Sequence, residues 1–168
     1  MSPKKTNLSD VAPIKGKIPS KIKIGIVVSE WNSEVTYALR DGAVATLLQM
    51  GLKKSAIIVK NVPGSFELPL GAQFLLDNKD VDAVICLGCV IQGETRHFEF
   101  ICQAVSQQIS RLNLDFNSPV IFGVLTTNTQ EQALARSGGK HGNKGIEAAA
   151  AAIKMLQLRD KIYPLLNS

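Results

Sequence analysis

Aromatic side chains make up only 5% of the 168 residues, too few to build a platform on which nucleic-acid bases could stack. Long apolar runs are missing too. None approaches the ~20 residues that a membrane-spanning helix needs, and the polar start MSPKKTNLSD lacks the apolar stretch of a secretion signal. The expectation is a cytoplasmic protein that does not enter a membrane. Cysteine is scarce, with only Cys86, Cys89 and Cys102. The first two form a C-x-x-C inside a predicted strand, where an offset of three sends the side chains to opposite faces, whereas redox pairs lie at exposed helix starts. No disulfide and no metal site are therefore expected. Also absent are a repeat of solenoid period, a G-x-G-x-x-G fingerprint and a Walker loop, and no cofactor is expected.

The formal net charge of +5 raises the question of a nucleic-acid partner, so the location of the charge matters. Residues 1–23 hold Lys4, Lys5, Lys15, Lys17, Lys21 and Lys23 against Asp10 alone, and the rest of the chain is neutral. A basic arm on a neutral domain argues against a surface that tracks phosphates along a strand, and no nucleic-acid partner is expected. With 45% hydrophobic and 20% charged residues, the remainder suits one globular domain. Residues 1–20, with Pro3, Pro13, Gly16 and Pro19 and no periodicity, read as a flexible basic arm or a segment ordered only against a partner. Residues 21–168 read as a single domain.

Within that domain, strand patterns alternate with helix patterns. KIKIGIVVS, residues 21–29, is the first strand. Ser33 is a candidate cap for a helix whose apolar positions Val35, Leu39, Ala43 and Leu47 keep helical spacing until Gly51. A second strand runs from Ala56 to Val62. Pro69 is expected at the first position of the next helix, with Leu70, Phe74 and Leu75 available for burial. Residues 83–91, almost wholly apolar, suit a central strand covered on both faces. After Gly93, Phe98, Ile101, Cys102, Val105, Ile109 and Leu112 recur at helical spacing, with Thr95 as the candidate cap. A fourth strand is predicted over 119–125. It is followed by a short helix carrying Arg136, capped by Thr129 with Gln132, and ended by Gly138-Gly139. Asn143-Lys144-Gly145 opens a last helix to about Leu158. The expected fold is α/β: a three-layer α/β/α, flavodoxin-like domain with a mainly parallel four-stranded sheet in order 2-1-3-4, flanked by helices.

That order gathers the loops after all four strands near one edge of the sheet, where ligands of open α/β sheets bind. Trp31 sits there, and its ring could either stack on a planar ligand or cover the core. Glu67, in the loop before Pro69, could bind hydroxyl groups. Gly93-Glu94-Thr95 precede a helix whose free backbone N–H groups and dipole favour an anion, so they could cradle a phosphate. His97, in the first turn, is a candidate for proton transfer, although histidines at helix starts also serve as capping or solvated side chains. Lys144 opposes the dipole at its helix start, and a residue that breaks a local rule often has work elsewhere. Arg136 carries no such signal.

Five blocks, SEWN (29–32), NVPGSFELP (61–69), GCVIQGETRHFEF (88–100), FGVLTTNTQEQALAR (122–136) and GNKGIEAA (142–149), occur in an order that resembles the lumazine synthase family of riboflavin biosynthesis. The resemblance implies a transferase that joins 5-amino-6-(D-ribitylamino)uracil to 3,4-dihydroxy-2-butanone 4-phosphate. It further implies Trp31 stacked on the substrate pyrimidine with Asn32 beside it. Ser65, Phe66, Glu67 and backbone groups near Val90 and Ile91 would bind the pyrimidine and its ribityl chain. Gly93, Glu94, Thr95 and Arg136 would hold the phosphate, His97 would transfer protons, and Phe122 and Lys144 would complete the pocket. The family implies a homo-pentamer with the Phe122 and Arg136 side supplied by a neighbouring subunit, in some members a sixty-subunit shell, and association with riboflavin synthase. The short link from Arg136 to Lys144 resembles that of the shell-forming members. Two positions depart from the commonest pattern: Trp31 stands where Phe is frequent, which keeps the stacking, and Gln92 where Arg is common, which leaves the charge there open. Two other readings stand beside this one: a non-catalytic flavin-binding or shell-forming homologue, and a Schiff-base aldolase using Lys144.

Overall fold

A computed structural model of the chain describes Ser9, Ile18 and residues 21–78 and 81–164. The rest of the expected arm over residues 1–20 lies outside the described residues. Ile18 packs against the main core, and the Ser9 hydroxyl bonds to Asn143 and Glu147.

Four parallel strands form the sheet, β1 (Ile24–Ser29), β2 (Ile57–Val62), β3 (Ala83–Ile91) and β4 (Val120–Thr127), in order β2-β1-β3-β4. This is the order expected from the alternation of strand and helix. All six residues of β1 are buried, because β1 and β3 are the inner strands and helices cover both faces. A strand with two covered faces reads as an unbroken apolar run, whereas β2 at the edge leaves Val59, Lys60 and Asn61 exposed.

Two separate cores flank the sheet. Helices α1 (Ser33–Gln49) and α5 (Lys144–Ile162) pack on one face, where Val35, Leu39, Ala43 and Leu47 meet Ala148, Ala149, Ala152, Ile153 and Leu156. Helices α2 (Leu68–Asp77) and α3 (His97–Phe116) pack on the other, where Leu68, Ala72 and Leu76 meet Val105, Ile109 and Leu112. Cys86 belongs to the second core and Cys89 to the first, so their side chains lie on opposite faces of the sheet, as the offset of three required. Burial pushes the Cys86 thiol up to about 12 and the Cys89 thiol to about 11, which removes thiolate chemistry at neutral pH.

Several local expectations are corrected. The cap position of helix α1 is held by Asn32, in a left-handed conformation at φ 58°, rather than by Ser33, and its side chain makes no capping bond. Helix α3 has Arg96 at its cap position, and Thr95 Oγ1 accepts only the His97 N–H, at 3.4 Å. Pro69 is the second residue of α2, and Leu70 and Phe74 are exposed; the buried stripe is Leu68, Ala72 and Leu76, spaced by four. Thr129 caps the short helix α4 (Gln130–Ala135) through the Gln132 N–H as expected, while the Gln132 side chain reaches back to the Asn128 N–H. Beyond Arg136 there is no simple helix stop. Ser137–Gly139 and Gly142–Asn143 pair as a small antiparallel ribbon, β5 and β6, that packs on α1. Asn143 ends the ribbon and caps α5, accepting the Gly145 N–H at 2.8 Å while its amide donates to the Ala38 carbonyl at 3.0 Å. Helix α5 runs four residues past the predicted Leu158.

Candidate functional site

The carboxyl edge of the sheet is stitched together by backbone bonds between neighbouring loops. The N–H groups of Glu30 and Trp31 donate to the carbonyls of Val62 and Pro63 at 2.9 and 3.1 Å, tying the loop after β1 to the loop after β2. The Gln92 N–H donates to the Thr127 carbonyl at 2.8 Å and joins the ends of β3 and β4. The left-handed turn at Asn32 aims its side chain across the edge, where Nδ2 donates to the Cys89 carbonyl at 3.0 Å. Residues from three separate loops are thus held at one rim.

Trp31 does not cover the core. Its side chain is 69% exposed, and its ring lies over Gly64, where a Cβ would come within 2.8 Å of Cε3. Only glycine allows so close an approach. The Gly64 N–H donates to Glu67 Oε2 at 2.9 Å, which ties down one oxygen of that carboxylate. Ser65, in the 3₁₀ turn Ser65–Glu67, packs against Gly88, and its hydroxyl is buried without a hydrogen-bond partner among the described residues. An orphaned buried hydroxyl costs about 1–3 kcal/mol, a cost that a ligand group could remove. Phe66 is exposed, and Val90 and Ile91 are half-buried at the end of β3. This arrangement offers a flat face, a half-committed carboxylate and an unsatisfied hydroxyl, a set suited to a planar, hydroxyl-bearing ligand.

Gly93, Glu94, Thr95 and His97 follow on the same edge and are all exposed. Around Gly93 no atom lies within 4 Å of where a Cβ would stand, so its backbone is open to an approaching group.

Arg136 and Lys144 form a second cluster on the α1 and α5 side of the sheet, whereas His97 opens α3 on the opposite side. Arg136 Nη2 donates to Glu147 Oε1 at 2.7 Å, and Lys144 Nζ donates to Glu147 Oε2 at 3.2 Å. Arg136 Nη1 also donates to the His141 carbonyl. Burial alone would raise the Glu147 carboxyl. The hydrogen bonds and charges of Arg136 and Lys144 outweigh it, so the group titrates below its usual range. Its contribution to stability is therefore present above the ordinary carboxylate range and is lost as pH falls through the depressed folded value.

The glutamate also resolves the oddity of Lys144, since a carboxylate one turn on neutralises the cation and is itself favoured at a helix start. Sequence reasoning overlooked Glu147, although its i,i+3 spacing from Lys144 was visible. Arg136, which carried no local signal, is held as firmly as Lys144.

Among the described residues, no hydrogen bond or ion pair connects Arg136 or Lys144 to His97 or to residues 93–95. Phe122 also stands apart: it pairs with Cys86 in the middle of edge strand β4 and is 37% exposed. One chain therefore gathers Trp31, Ser65 and Glu67 at one rim, carries His97 exposed at the start of α3 after β3, and presents Phe122 and the Arg136 cluster elsewhere.

The family described as 6,7-dimethyl-8-ribityllumazine synthase matches residues 21–160. A protein of that name from Cytophaga hutchinsonii is 62% identical over 158 residues, covering 93% of this chain and 98% of its own. Another, from Bacteroides fragilis, is 56% identical over 135 residues, covering 80% and 94%. A third, from Flavobacterium johnsoniae, is 50% identical across 100% of this chain and 92% of its own. With the match spanning every strand of the sheet and both residue clusters, the chain belongs to the 6,7-dimethyl-8-ribityllumazine synthase family.

Proposed function

We propose that the protein is a transferase that condenses 5-amino-6-(D-ribitylamino)uracil with 3,4-dihydroxy-2-butanone 4-phosphate to 6,7-dimethyl-8-ribityllumazine, releasing phosphate and water, the penultimate step of riboflavin biosynthesis. The observation that carries this reading is the family match over residues 21–160, which contains the exposed Trp31 ring seated on Gly64 beside Glu67 and Ser65.

In this reading Trp31 stacks on the pyrimidine with Asn32 at its side, Ser65 and Glu67 take hydroxyl and ring N–H groups, and Phe66, Val90 and Ile91 line the pocket. The free amine of the uracil adds to the ketone and water leaves, giving an imine. Loss of a proton from the neighbouring carbon expels phosphate, and the ribitylamino nitrogen then closes the ring with loss of a second water. Every step moves a proton, and in this reading His97 moves it. The open backbone at Gly93, with Glu94 and Thr95 beside it, and the Arg136 of a neighbouring subunit hold the phosphate as it leaves. Because the amine is itself nucleophilic, no covalent enzyme intermediate is needed, and alignment of the two reactants supplies much of the acceleration.

His97→Ala is expected to lower kcat by about 10²-fold, the lower end of general acid–base contributions, with the KM of either substrate little changed. Stopped-flow absorbance of the lumazine product checks this, and an unchanged kcat would remove His97 from the mechanism. The activity itself is tested by mixing both substrates with the protein and measuring lumazine fluorescence above the uncatalysed background.

The separation of the His97 rim from Phe122 and the Arg136 cluster supports a site shared between subunits, in which a neighbour supplies the second half. Large apolar side chains exposed on α2 and α3, among them Leu70, Phe74, Phe100 and Leu114, support the same assembly. A homo-pentamer is the proposed unit, with a sixty-subunit shell and association with riboflavin synthase as its extensions, in the cytoplasm. Analytical ultracentrifugation is expected to show no folded monomer at micromolar concentration, and a monomer active at that concentration would refute the shared site.

A further inference from the structure

We infer that Glu147 is a positioning residue of the phosphate half of the site, a bracket that sets the Arg136 guanidinium and the Lys144 ammonium in one fixed relation. The inference rests on the proposal that Arg136 binds the substrate phosphate.

Each oxygen of the Glu147 carboxylate takes one cation, Oε1 the arginine at 2.7 Å and Oε2 the lysine at 3.2 Å. The Glu147 side chain is only 12% exposed, whereas Arg136 and Lys144 keep 24% and 31%, so the carboxylate is largely shielded from the water that weakens surface ion pairs while the cations still face outward. The Ser9 hydroxyl lies 3.2 Å from both Oε1 and the Asn143 carbonyl and shares its one proton between them. The backbone clamps the same cluster, with the Lys144 N–H donating to the Arg136 carbonyl at 2.9 Å and the His141 N–H to the Ala135 carbonyl at 2.8 Å. A guanidinium has five N–H donors. Glu147 and the His141 carbonyl occupy one on each Nη. Among the described residues the Nε–H and one further N–H on each Nη have no partner, and a guanidinium offers such N–H groups as a fork of the kind that receives phosphate oxygens. Glu147 therefore does not occupy the whole donor set; it fixes the plane of the group and leaves its fork free.

Without the carboxylate, two cations face each other and each returns to its own set of rotamers. Glu147→Gln keeps the shape but replaces one oxygen with an amide NH2, which confronts a cation as a donor. Removing the negative charge also raises the net charge of the cluster and would by itself attract phosphate more strongly. The two hypotheses thus predict opposite signs: loss of positioning raises the KM for the phosphate substrate, and relief of competition lowers it.

The experiment measures kcat and both KM values for the assembled wild type, Arg136→Ala, Glu147→Gln, Glu147→Asp and the Arg136→Ala/Glu147→Gln double variant. Expected for Glu147→Gln is a roughly 10-fold rise in the KM of the phosphate substrate, with the KM of the uracil substrate and kcat within about threefold. Glu147→Asp, one methylene shorter, keeps the charge and is expected to lie between wild type and Glu147→Gln. In the Arg136→Ala background, Glu147→Gln is expected to add almost nothing, because a residue acting through another is silent once that partner is gone. A KM that falls in Glu147→Gln, a parallel change in all three constants, or full additivity in the double variant would overturn the inference. If Glu147→Gln does not assemble, Glu147→Asp gives the same reading by its KM-against-kcat split. If Arg136→Ala leaves the phosphate KM unchanged, the phosphate-site assignment falls. If Arg136→Ala raises that KM and Glu147→Gln does not, only the positioning role falls.

Discussion

Arg136→Ala is expected to raise the KM for 3,4-dihydroxy-2-butanone 4-phosphate by roughly 10- to 150-fold, the equivalent of about 1.5–3 kcal/mol for hydrogen bonds to a charged group. The KM for the uracil substrate should change little, because Trp31, Ser65 and Glu67 belong to the other cluster. The variant is also a fair test of binding rather than of folding. Arg136 is one of two cations on Glu147, and Lys144, 3.2 Å from the other oxygen, is left to pair the carboxylate when Arg136 is removed. Steady-state kinetics with each substrate varied in turn gives the result, and an unchanged KM for the phosphate substrate would take Arg136 out of the site. A lysine in its place should restore only part of the loss, since an ammonium is a point charge without the planar fork.

Gly145→Ala is expected to cost the fold at least about 3 kcal/mol, at or beyond the upper end for overpacking. A Cβ there would stand 1.9 Å from the Leu39 carbonyl oxygen and 2.7 Å from its carbon. Both atoms belong to the backbone of α1, which cannot swing aside as a flexible side chain can. The α1 and α5 helices would have to separate, and that would open the contact of Leu39 and Ala43 with Ala148, Ala149 and Ala152. It would also pull the Gly145 N–H from the Asn143 cap and loosen the ribbon that carries Arg136. Thermal unfolding should therefore fall by roughly 6 °C or more, at about 2–4 °C per kcal/mol for a domain of this size, and activity should fall with it. A Tm within two degrees of wild type would show that α1 yields more easily than its packing implies.

Much of this architecture was legible because local chemistry and global packing agree. The unbroken apolar run of β3 marked it as an inner strand, and the spacing of Val35, Leu39, Ala43 and Leu47 matches the buried stripe of α1. Where several helix phases were compatible with one sequence, as in α2, the expectation was Leu70, Phe74 and Leu75; tertiary packing buries Leu68, Ala72 and Leu76, packs Leu75 at their margin and leaves the other two exposed. The expected Ser33 cap failed for a similar reason, while the Thr129 cap held. Asn32 was available as an acceptor like Ser33, but its side chain is drawn across the edge to the Cys89 carbonyl, a partner 57 residues away that no local rule contains.

For the site, the sequence alone determined the family, the residue types at the rim and the oddity of Lys144, since blocks of residues and helix-start rules are properties of neighbours in the chain. Tertiary structure decided what those residues do to one another. It laid the Trp31 ring on Gly64, left the Ser65 hydroxyl unpaired, and brought Arg136 and Lys144 to the two oxygens of one glutamate. It also set that cluster and His97 on opposite sides of the sheet. Distances between residues far apart in the chain depend on how two cores pack against a twisted sheet, and no window of sequence holds that information.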